Sequence, residues 1–330
     1  MGKVLKFIGG PGVANDKHHI QHIDLSMNRI MKGYYLVLIA CVFVRCDSKE
    51  EAEASEDNAI YVSEIQAWDQ QRARDLKGSK GWLNLAGLFW LEDGINTVGS
   101  GSKNSIVFPE GRIPERAGFF MVKGNKVVFE AAPVVAITSK GRPIKRMVVF
   151  QPDSAARNME YGMLQWFIIK RDNKFGIRLR DFESPALANF KGIKRYPIDS
   201  TWRLQAKFKF AWGSRKIDIT NIVGQAAPQL SPGPLVFKIN STEYQLDVID
   251  EGSAEYFVIF GDSTNAHETY GAGRYIYVNK PDADGNTIID FNKAQNPPCA
   301  FTPFATCPLP PRQNILEVAV RAGEKNYSDH

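Results

Sequence analysis

Histidine is scarce in this sequence, and cysteine is scarcer still. The 330 residues include five histidines and four cysteines. His267 is the only histidine between residues 23 and 329, which excludes zinc sites built on two or three histidines from the body of the chain. A Ser-His-Asp triad could be built only on His267. We therefore expect neither a metal site nor a cofactor.

The body of the chain also has little excess charge. The sequence has 41 Lys and Arg against 36 Asp and Glu, a formal net charge of +5. Six of the basic residues and only two of the acidic ones lie within residues 1–46, so the remainder is nearly neutral. This balance argues against nucleic acid as a partner. The sequence contains no Walker loop, EF-hand loop or dinucleotide fingerprint.

No apolar run is long enough for a comfortable membrane span. The longest, Gly33–Val44, follows the basic segment Met27–Lys32, a pattern typical of a secretory signal and of a natural start at Met27. Cys41 follows the better lipobox, whereas the polar tether after Cys46 favours lipidation there. We expect an exported lipoprotein of the cell envelope, on its periplasmic or outer surface. An ordinary signal peptide or a short anchor helix is the alternative.

The pattern predicts four segments. Residues 1–46 form the leader, residues 47–59 an acidic and disordered linker, residues 60–325 a single β-rich domain, and residues 326–330 a tail. The domain is long enough to bury a sizeable core. We expect it to be a monomer that meets the membrane only through its lipid anchor.

One helix is predicted at the start of the domain, over Ser63–Lys77. Ile65, Trp68 and Leu76 fall on one face of this segment, which is the spacing of an amphipathic helix. Ser63 is a candidate N-cap, and Gly78 lies just past the end.

Strand-like alternation takes over after Gly78. Short apolar stretches, among them Val134–Thr138 and Leu164–Arg171, recur about every eight to twelve residues between Gly, Pro and Asn. This rhythm predicts a mainly β fold, either an antiparallel β-sandwich or a barrel-like meander.

The densest information lies near the C-terminus. Arg274–Asn279 and Thr287–Phe291 read as two strands around an Asp-Gly-Asn turn, which predicts a hairpin with Arg274 on one arm and Asp290 on the other. Six prolines between residues 297 and 311 then exclude regular structure. Long irregular loops of this kind are usually functional or disordered, and the apolar residues within this one favour order.

Several strings in this region resemble an uncharacterised prokaryotic family known as domain of unknown function 1684. They are ETYGAGRY at 268–275, DFNKAQNPPCAFTPFATCPLPPRQN at 290–314 and AGE at 322–324. Residues 81–100, RLRD at 178–181 and residues 190–203 resemble its earlier motifs, so the resemblance covers roughly residues 65–325. It implies a compact β-rich domain, sometimes borne by lipoproteins and sometimes by chains without a signal, and brings no established activity.

Residues 95–138 have, in addition, the rhythm of a forkhead-associated domain. In that family the loops that contact phosphothreonine begin with Gly-Arg, whereas this chain has Gly99-Ser100. The arginine that would contact phosphate is therefore absent, and phosphopeptide recognition is not expected.

Arginines are the first candidates for a binding site. Arg274 begins a strand after a flexible Gly-Ala-Gly segment and could present its planar guanidinium to an anion. Arg180 and Arg195 could contribute to the same site. Alternatively, Arg274 pairs internally with Asp290 or Glu268.

Polar residues beside the proline loop admit two interpretations. Asp290, Asn292 and Asn296 either cap loop amides or belong to a site, in which Asp290 and Glu268 act as acid and base or bind a hard cation. Cys299 and Cys307 could form a disulfide, remain buried thiols, or provide a nucleophile activated by His267. His267 could equally be an exposed turn residue.

The leading hypothesis is that the domain binds a small anionic or polar ligand. Its pocket should lie between the predicted hairpin and the proline loop, with Arg274, Arg180 and Arg195 holding charge and aromatic residues covering the ligand. Tyr270, Asn292 and Asn296 would add contacts. The alternatives are a hydrolase that uses Glu268 with Asp290, or Cys299 with His267, and a structural scaffold for partners in the cell envelope.

Overall fold

The structure is a computed structural model, and it describes residues 55–155, 157–171, 173–211, 213 and 215–327. The chain divides into two units, Met1–Ile60 and Tyr61–His330. In the first unit the described residues, 55–60, are helical. The predicted start at Met27 and the candidate lipidation sites Cys41 and Cys46 lie outside the described residues.

The predicted helix is present, and it begins earlier than expected. Residues 55–77 are helical and are called α1. Ser63 is therefore an interior residue and not the N-cap, while Gly78 does follow the last helical residue. Ile65 and Leu76 are fully buried, as the amphipathic spacing predicts. Among the described residues, no helix is both long and apolar enough to cross a membrane.

Beyond α1 the fold is mainly β, which confirms the predicted class. A short helix, α2, spans Pro185–Asn189, and single turns of 3₁₀-helix occupy Ser200–Trp202, Phe291–Lys293, Pro298–Ala300 and Arg312–Asn314. The strands, numbered β1 to β20 in chain order, are Leu85–Leu91, Gly94–Gly99, Ile106–Val107, Gly118–Lys123, Lys126–Ala131, Thr138–Ser139, Arg142–Pro143, Arg146–Phe150, Met159–Tyr161, Leu164–Arg171, Lys174–Asp181, Arg203–Phe208, Lys216–Thr220, Ala226–Leu230, Pro234–Ile239, Thr242–Asp247, Glu255–Asp262, Arg274–Asn279, Asn286–Asp290 and Ile315–Leu316.

The first half of the strands forms two sheets over one core. One sheet has the order β1-β11-β10-β9-β6-β7, and the other has the order β3-β2-β4-β5-β8. Alternate side chains from both sheets, such as Phe129 and Trp166, meet in a single apolar cluster. Burying that cluster between two mostly antiparallel sheets is the arrangement of a β-sandwich.

The second half forms a second core. The sheets β16-β15-β12-β19 and β18-β17-β20 enclose apolar side chains that include Phe237, Phe260 and Phe291. The pair β13-β14 stands as a separate two-stranded sheet. The described strands therefore form several open sheets rather than one closed meander.

The predicted hairpin between Arg274–Asn279 and the following strand is wrong. Strand β18 pairs with β17, so that Arg274 lies opposite Phe260. Strand β19 pairs with β12, so that Asp290 lies opposite Arg203. The Asp282 carboxylate accepts the amide hydrogens of the intervening turn, but the two strands then diverge into different sheets because each has its own antiparallel partner.

Candidate functional site

Arg274 is buried and not exposed to a pocket, which corrects the main expectation for this residue. Its side chain is 0% exposed and forms an ion pair with the equally buried Asp262, at 2.7 Å between Nη2 and Oδ2. The guanidinium also donates to the carbonyls of Val320, at 2.8 Å, and Ala322. It lies over the ring of Phe260. Arg274 therefore pairs internally, with Asp262 in place of the anticipated Asp290 or Glu268.

The glycine before Arg274 explains how the chain reaches this position. Gly273 has a φ of 85°, and a Cβ there would lie 2.5 Å from a ring carbon of Pro310 and 2.6 Å from the carbonyl oxygen of Phe260. Only glycine fits this conformation and this close approach. The GAGR string thus brings the strand, the proline loop and the C-terminal segment together. We call Arg274, Asp262 and the carbonyls of Val320 and Ala322 the arginine clamp.

Asp290 and Asn292 serve the capping role that the sequence allowed. The Asp290 carboxylate accepts the backbone N–H of Asn292 at 3.0 Å and the hydroxyl of Tyr61 at 2.9 Å. Asn292 is fully buried, donates to the carbonyl of Asp199 and accepts its N–H. These bonds tie α1 and the segment before β12 to the end of β19, so Asn292 is not available to a ligand.

Glu268 and His267 are not assembled into a catalytic pair. Glu268 accepts the Tyr196 hydroxyl at 3.0 Å and pairs with Arg321 at 3.1 Å. The hydrogen bond from Tyr196 holds the pKa of Glu268 below its usual value, while burial and this bond raise the pKa of Tyr196 to about 12. Glu268 and Asp290 have separate partners among the described residues, and His267 is an exposed turn residue.

The other predicted binding arginines support the fold. Arg180 is buried and donates to the carbonyl of Gly81 and to the side chain of Asn84. Arg195 donates to the carbonyl of Asn292 at 2.7 Å and pairs with Asp69 of α1 at 3.3 Å. Their guanidinium groups satisfy internal carbonyl and carboxylate oxygens, which corrects the expectation that they bind a ligand.

Tyr270, the remaining aromatic candidate, is half-buried beside the small apolar cluster of Leu76, Leu83 and Phe301. It lines none of the cavities described below.

Cys299 and Cys307 form a disulfide, which decides among the three alternatives for these thiols. Their Cα atoms are 6.0 Å apart. The bond closes the proline loop on itself, and Cys307 is buried. A catalytic thiolate that uses Cys299 is not compatible with this state. Within the described residues, no group of three or more His, Cys, Asp or Glu side chains could hold a metal.

A cavity does lie beside the proline loop, but on the opposite face of β18 from Arg274. Its volume is about 280 Å³. Because strand side chains alternate, Arg274, Ile276 and Val278 point to the core while Tyr275 and Tyr277 point to the cavity. We call this cavity the arginine groove; it is lined by Arg72, Trp82, Arg171, Arg178, Glu251, Phe257, Tyr275, Tyr277, Gln295, Asn296, Pro298, Ala305, Thr306, Cys307 and Pro308.

Arg178 is the least compensated charge in this groove. It is half-buried, and its Nε is buried without a hydrogen-bond partner among the described residues. No described carboxylate pairs with it, and its closest aromatic contact is the ring of Trp82, 6.0 Å from the guanidinium carbon. Burial lowers the pKa of Arg178, and the neighbouring charges of Arg171 and Arg180 lower it further. The negative charge of an anion in the groove would favour the charged form of Arg178 and so oppose both effects.

Arg72 differs from Arg178, because its charge is already paired with a carboxylate. Its Nε is 3.1 Å from the buried carboxylate of Glu324, and its Nη2 donates to the carbonyl of Asn296 at 3.0 Å. Burial raises the pKa of Glu324 in spite of this ion pair. Arg72 therefore fixes α1 against the C-terminal segment and forms one wall of the groove.

The Asn296 side chain contributes an unused acceptor at this wall. Its Nδ2 donates to the carbonyl of Lys325 at 2.7 Å, whereas its Oδ1 is buried without a partner among the described residues. Because Asn296 lines the groove, its place among the predicted site residues agrees with the geometry.

Two further cavities adjoin the groove. One, of about 300 Å³, shares Arg171, Glu251 and Phe257 with it and extends along the β13-β14 sheet. The other, of about 490 Å³, shares Arg72, Tyr277 and Gln295 with it and extends along α1. The three cavities are therefore neighbours that share walls.

The sequence predicts a pocket beside the proline loop, and a cavity lies there, but most of the residues that line it are not among the predicted ones. Alternation along β18 was sufficient to show that Arg274 lies on the same face as two apolar residues, and that the tyrosines lie on the other. Arg178 belongs to the RLRD string, in which Arg180 is the predicted binding residue. Arg72 and Glu251 carried no local signal, because they reach the groove only through long-range packing.

Comparisons with known proteins agree with the sequence resemblance. Residues 188–325 match the family described as "Protein of unknown function (DUF1684)", which confirms the resemblance over that range. This places the proline loop, the arginine clamp and part of the groove wall within the matched segment. No curated protein matches the chain.

Several solved structures are also similar. The uncharacterised protein from gene locus rrnAC0354 of Haloarcula marismortui is 29% identical, with 44% of this chain and 83% of that chain covered and a TM-score of 0.38. A forkhead-associated domain studied for phosphothreonine-dependent interactions is 14% identical over 28% of this chain and 92% of that one, with a TM-score of 0.19. The FhaA forkhead-associated domain, solved with the intracellular domain of Rv3910, is 14% identical over 28% and 97%, with a TM-score of 0.18.

Proposed function

We propose that this domain binds a small organic anion in the arginine groove. The observation that carries the proposal is Arg178, a half-buried guanidinium that has no carboxylate partner among the described residues and lines a cavity of about 280 Å³. Burying an unpaired charge is costly. A groove that retains such a charge is suited to a ligand that neutralises it.

The surroundings of Arg178 support a ligand with both a charged and a flat part. Arg171 lines the same groove, is exposed, and has no ion-pair partner among the described residues. Trp82, Tyr275 and Tyr277 supply aromatic surface. Carboxylate, phosphate and sulfate groups all match the planar donors of arginine, and aromatic walls cover apolar ligand surface.

Substitution of Arg178 tests the proposal. The wild-type protein should bind phosphate, sulfate or acetate in isothermal titration calorimetry, with weaker binding at high salt. Arg178→Gln should weaken binding about 10- to 100-fold, because a hydrogen bond to a charged group contributes roughly 1.5–3 kcal/mol. Arg142→Gln, on the exposed strand β7, is the matched control and should bind like the wild type. The proposal fails if no anion binds the wild type, or if Arg178→Gln binds equally well.

We also propose that the domain works outside the cytoplasm as a lipid-anchored monomer. The disulfide between Cys299 and Cys307 supports this placement, because disulfides persist mainly in oxidising compartments. Cys46→Ser and Cys41→Ser, made separately in the full chain, should show by mass spectrometry which cysteine carries the lipid. Export without any lipid on either cysteine would contradict the anchor.

A further inference from the structure

The largest of the three cavities has a chemistry of its own. This polar chamber, of about 490 Å³, lies between α1 and the strands β12, β18 and β19. It borders the arginine groove, with which it shares the lining residues Arg72, Tyr277 and Gln295. A ligand whose charged end meets Arg178 could therefore extend past Tyr277 into the chamber.

Charges in the polar chamber are balanced, in contrast to the groove. Its lining includes three basic and three acidic side chains: Arg72, Arg203, Lys293, Asp75, Glu255 and Asp290. Arg203, Lys293 and Glu255 form no ion pairs among the described residues, so their donors and acceptors are available. The side-chain amides of Asn279 and Gln295 add groups of both kinds.

One carboxylate oxygen of Asp290 could accept a hydrogen bond from a ligand in the chamber. Its Oδ1 accepts from Tyr61 and Asn292. Its Oδ2 has no hydrogen-bond partner among the described residues. The bonds on Oδ1 hold the carboxylate in place, which pre-organises Oδ2 as an acceptor.

Aromatic surface completes the chamber. Trp68 of α1 and Tyr277 of β18 both line it, and both are only partly buried. In a ligand with several adjacent hydroxyl groups, each hydroxyl can both donate and accept hydrogen bonds. Such a ligand suits a lining that mixes carboxylates, amides and cations without net charge. The C–H face of a sugar ring is apolar and packs on aromatic rings. A neutral polyhydroxyl group satisfies both features.

We infer that the ligand is an anionic sugar, with its carboxylate or phosphate at Arg178 and Arg171 and its hydroxylated ring in the polar chamber. This inference rests on the proposed anion binding and names the class of ligand. A zwitterionic amino acid would also meet balanced charges, but it would leave most of the hydroxyl-matching groups unpaired.

Paired probes test the inference by calorimetry on the full chain. Glucose 6-phosphate is compared with inorganic phosphate and glucose, and glucuronate with acetate and glucose. At least one anionic sugar should bind 10-fold or more tightly than its parent anion. Phosphoserine should show no such gain, since it shares the phosphate but not the ring.

Single substitutions distinguish the contribution of the polar chamber to ligand binding from that of the arginine groove. Asn279→Ala and Lys293→Gln should reduce the sugar advantage to less than about threefold while leaving phosphate affinity unchanged. Arg178→Gln should weaken both ligands. Lys126→Gln, at an exposed position of β5, is the control and should change neither. The unfolding midpoint of each variant should be measured to check that the variant remains folded.

The two failures are distinguishable. If no anion binds the wild type, the proposed function itself is wrong. If phosphate and acetate bind as tightly as the sugar acids, or if phosphoserine gains as much as glucose 6-phosphate, anion binding stands and the sugar assignment is overturned. An undiminished sugar advantage in both chamber variants overturns it as well.

Discussion

The arginine clamp should be among the most costly places to alter in this protein. Arg274→Met keeps an unbranched apolar side chain but removes the guanidinium, with its charge and its contact with the Phe260 ring. It leaves the fully buried Asp262 without its cation and the carbonyls of Val320 and Ala322 without a donor. Removing one partner from a buried ion pair costs about 3–5 kcal/mol, a large part of the roughly 5–15 kcal/mol that stabilises a typical protein.

Guanidinium unfolding, followed by tryptophan fluorescence, measures this loss. With a slope of roughly 2–6 kcal/mol per molar, the midpoint should fall by roughly 0.5–2.5 M. Arg321→Met removes a nearby but exposed pairing with Glu268, which water screens, and should barely move the midpoint. Asp262→Asn combined with Arg274→Met should recover part of the loss, because no charge is then buried alone. Equal midpoints for Arg274→Met and Arg321→Met would refute the clamp.

Three further predictions concern the same region. Gly273→Ala should destabilise the protein by more than about 1 kcal/mol, from the positive φ and the collisions described above, whereas Gly271→Ala, with no atom closer than 3.6 Å, should be nearly neutral in thermal unfolding. Replacing Cys299 and Cys307 by serine should cost about 2–3 kcal/mol from loop-closure entropy, an effect that urea unfolding with and without reductant would detect. Burial raises the pKa of Glu324 above its ordinary 4.5, so its contribution is fully present below that pH and is lost as pH rises through the raised pKa. Glu324→Gln should therefore gain stability relative to the wild type as the pH rises above 4.5, and a constant difference would contradict this assignment.

Local patterns predicted much of the fold. Leu164–Arg171 and Arg274–Asn279 were placed at their observed limits, because alternating β-branched and aromatic residues end at turn residues. The strand predicted at Val134–Thr138 failed, since Val134 has a φ of 64° and begins a loop. Such a conformation is rare for a β-branched residue and leaves no mark in the hydrophobic pattern.

Pairing between strands was less predictable than the strands themselves. The turn sequence Asp284-Gly285-Asn286 predicts a hairpin, but β18 and β19 join different sheets. Turn chemistry determines where a chain reverses, whereas the choice of partner depends on which faces can be buried together. For the same reason, Arg72 of α1 could not be placed beside Asn296 from the sequence.

Strand β18 connects the two features that matter most here. Its inward residue Arg274 holds the C-terminal segment through the arginine clamp, and its outward residues Tyr275 and Tyr277 line the groove. The Tyr275 hydroxyl donates to the carbonyl of Pro308 at 2.8 Å, so the strand also positions the proline loop. A buried charge satisfied by several backbone carbonyls requires one register of β18 against β17, because a shift by one residue would turn Arg274 towards the groove and both tyrosines towards the core. The clamp therefore favours the register in which Tyr275 and Tyr277 line the groove beside Arg178.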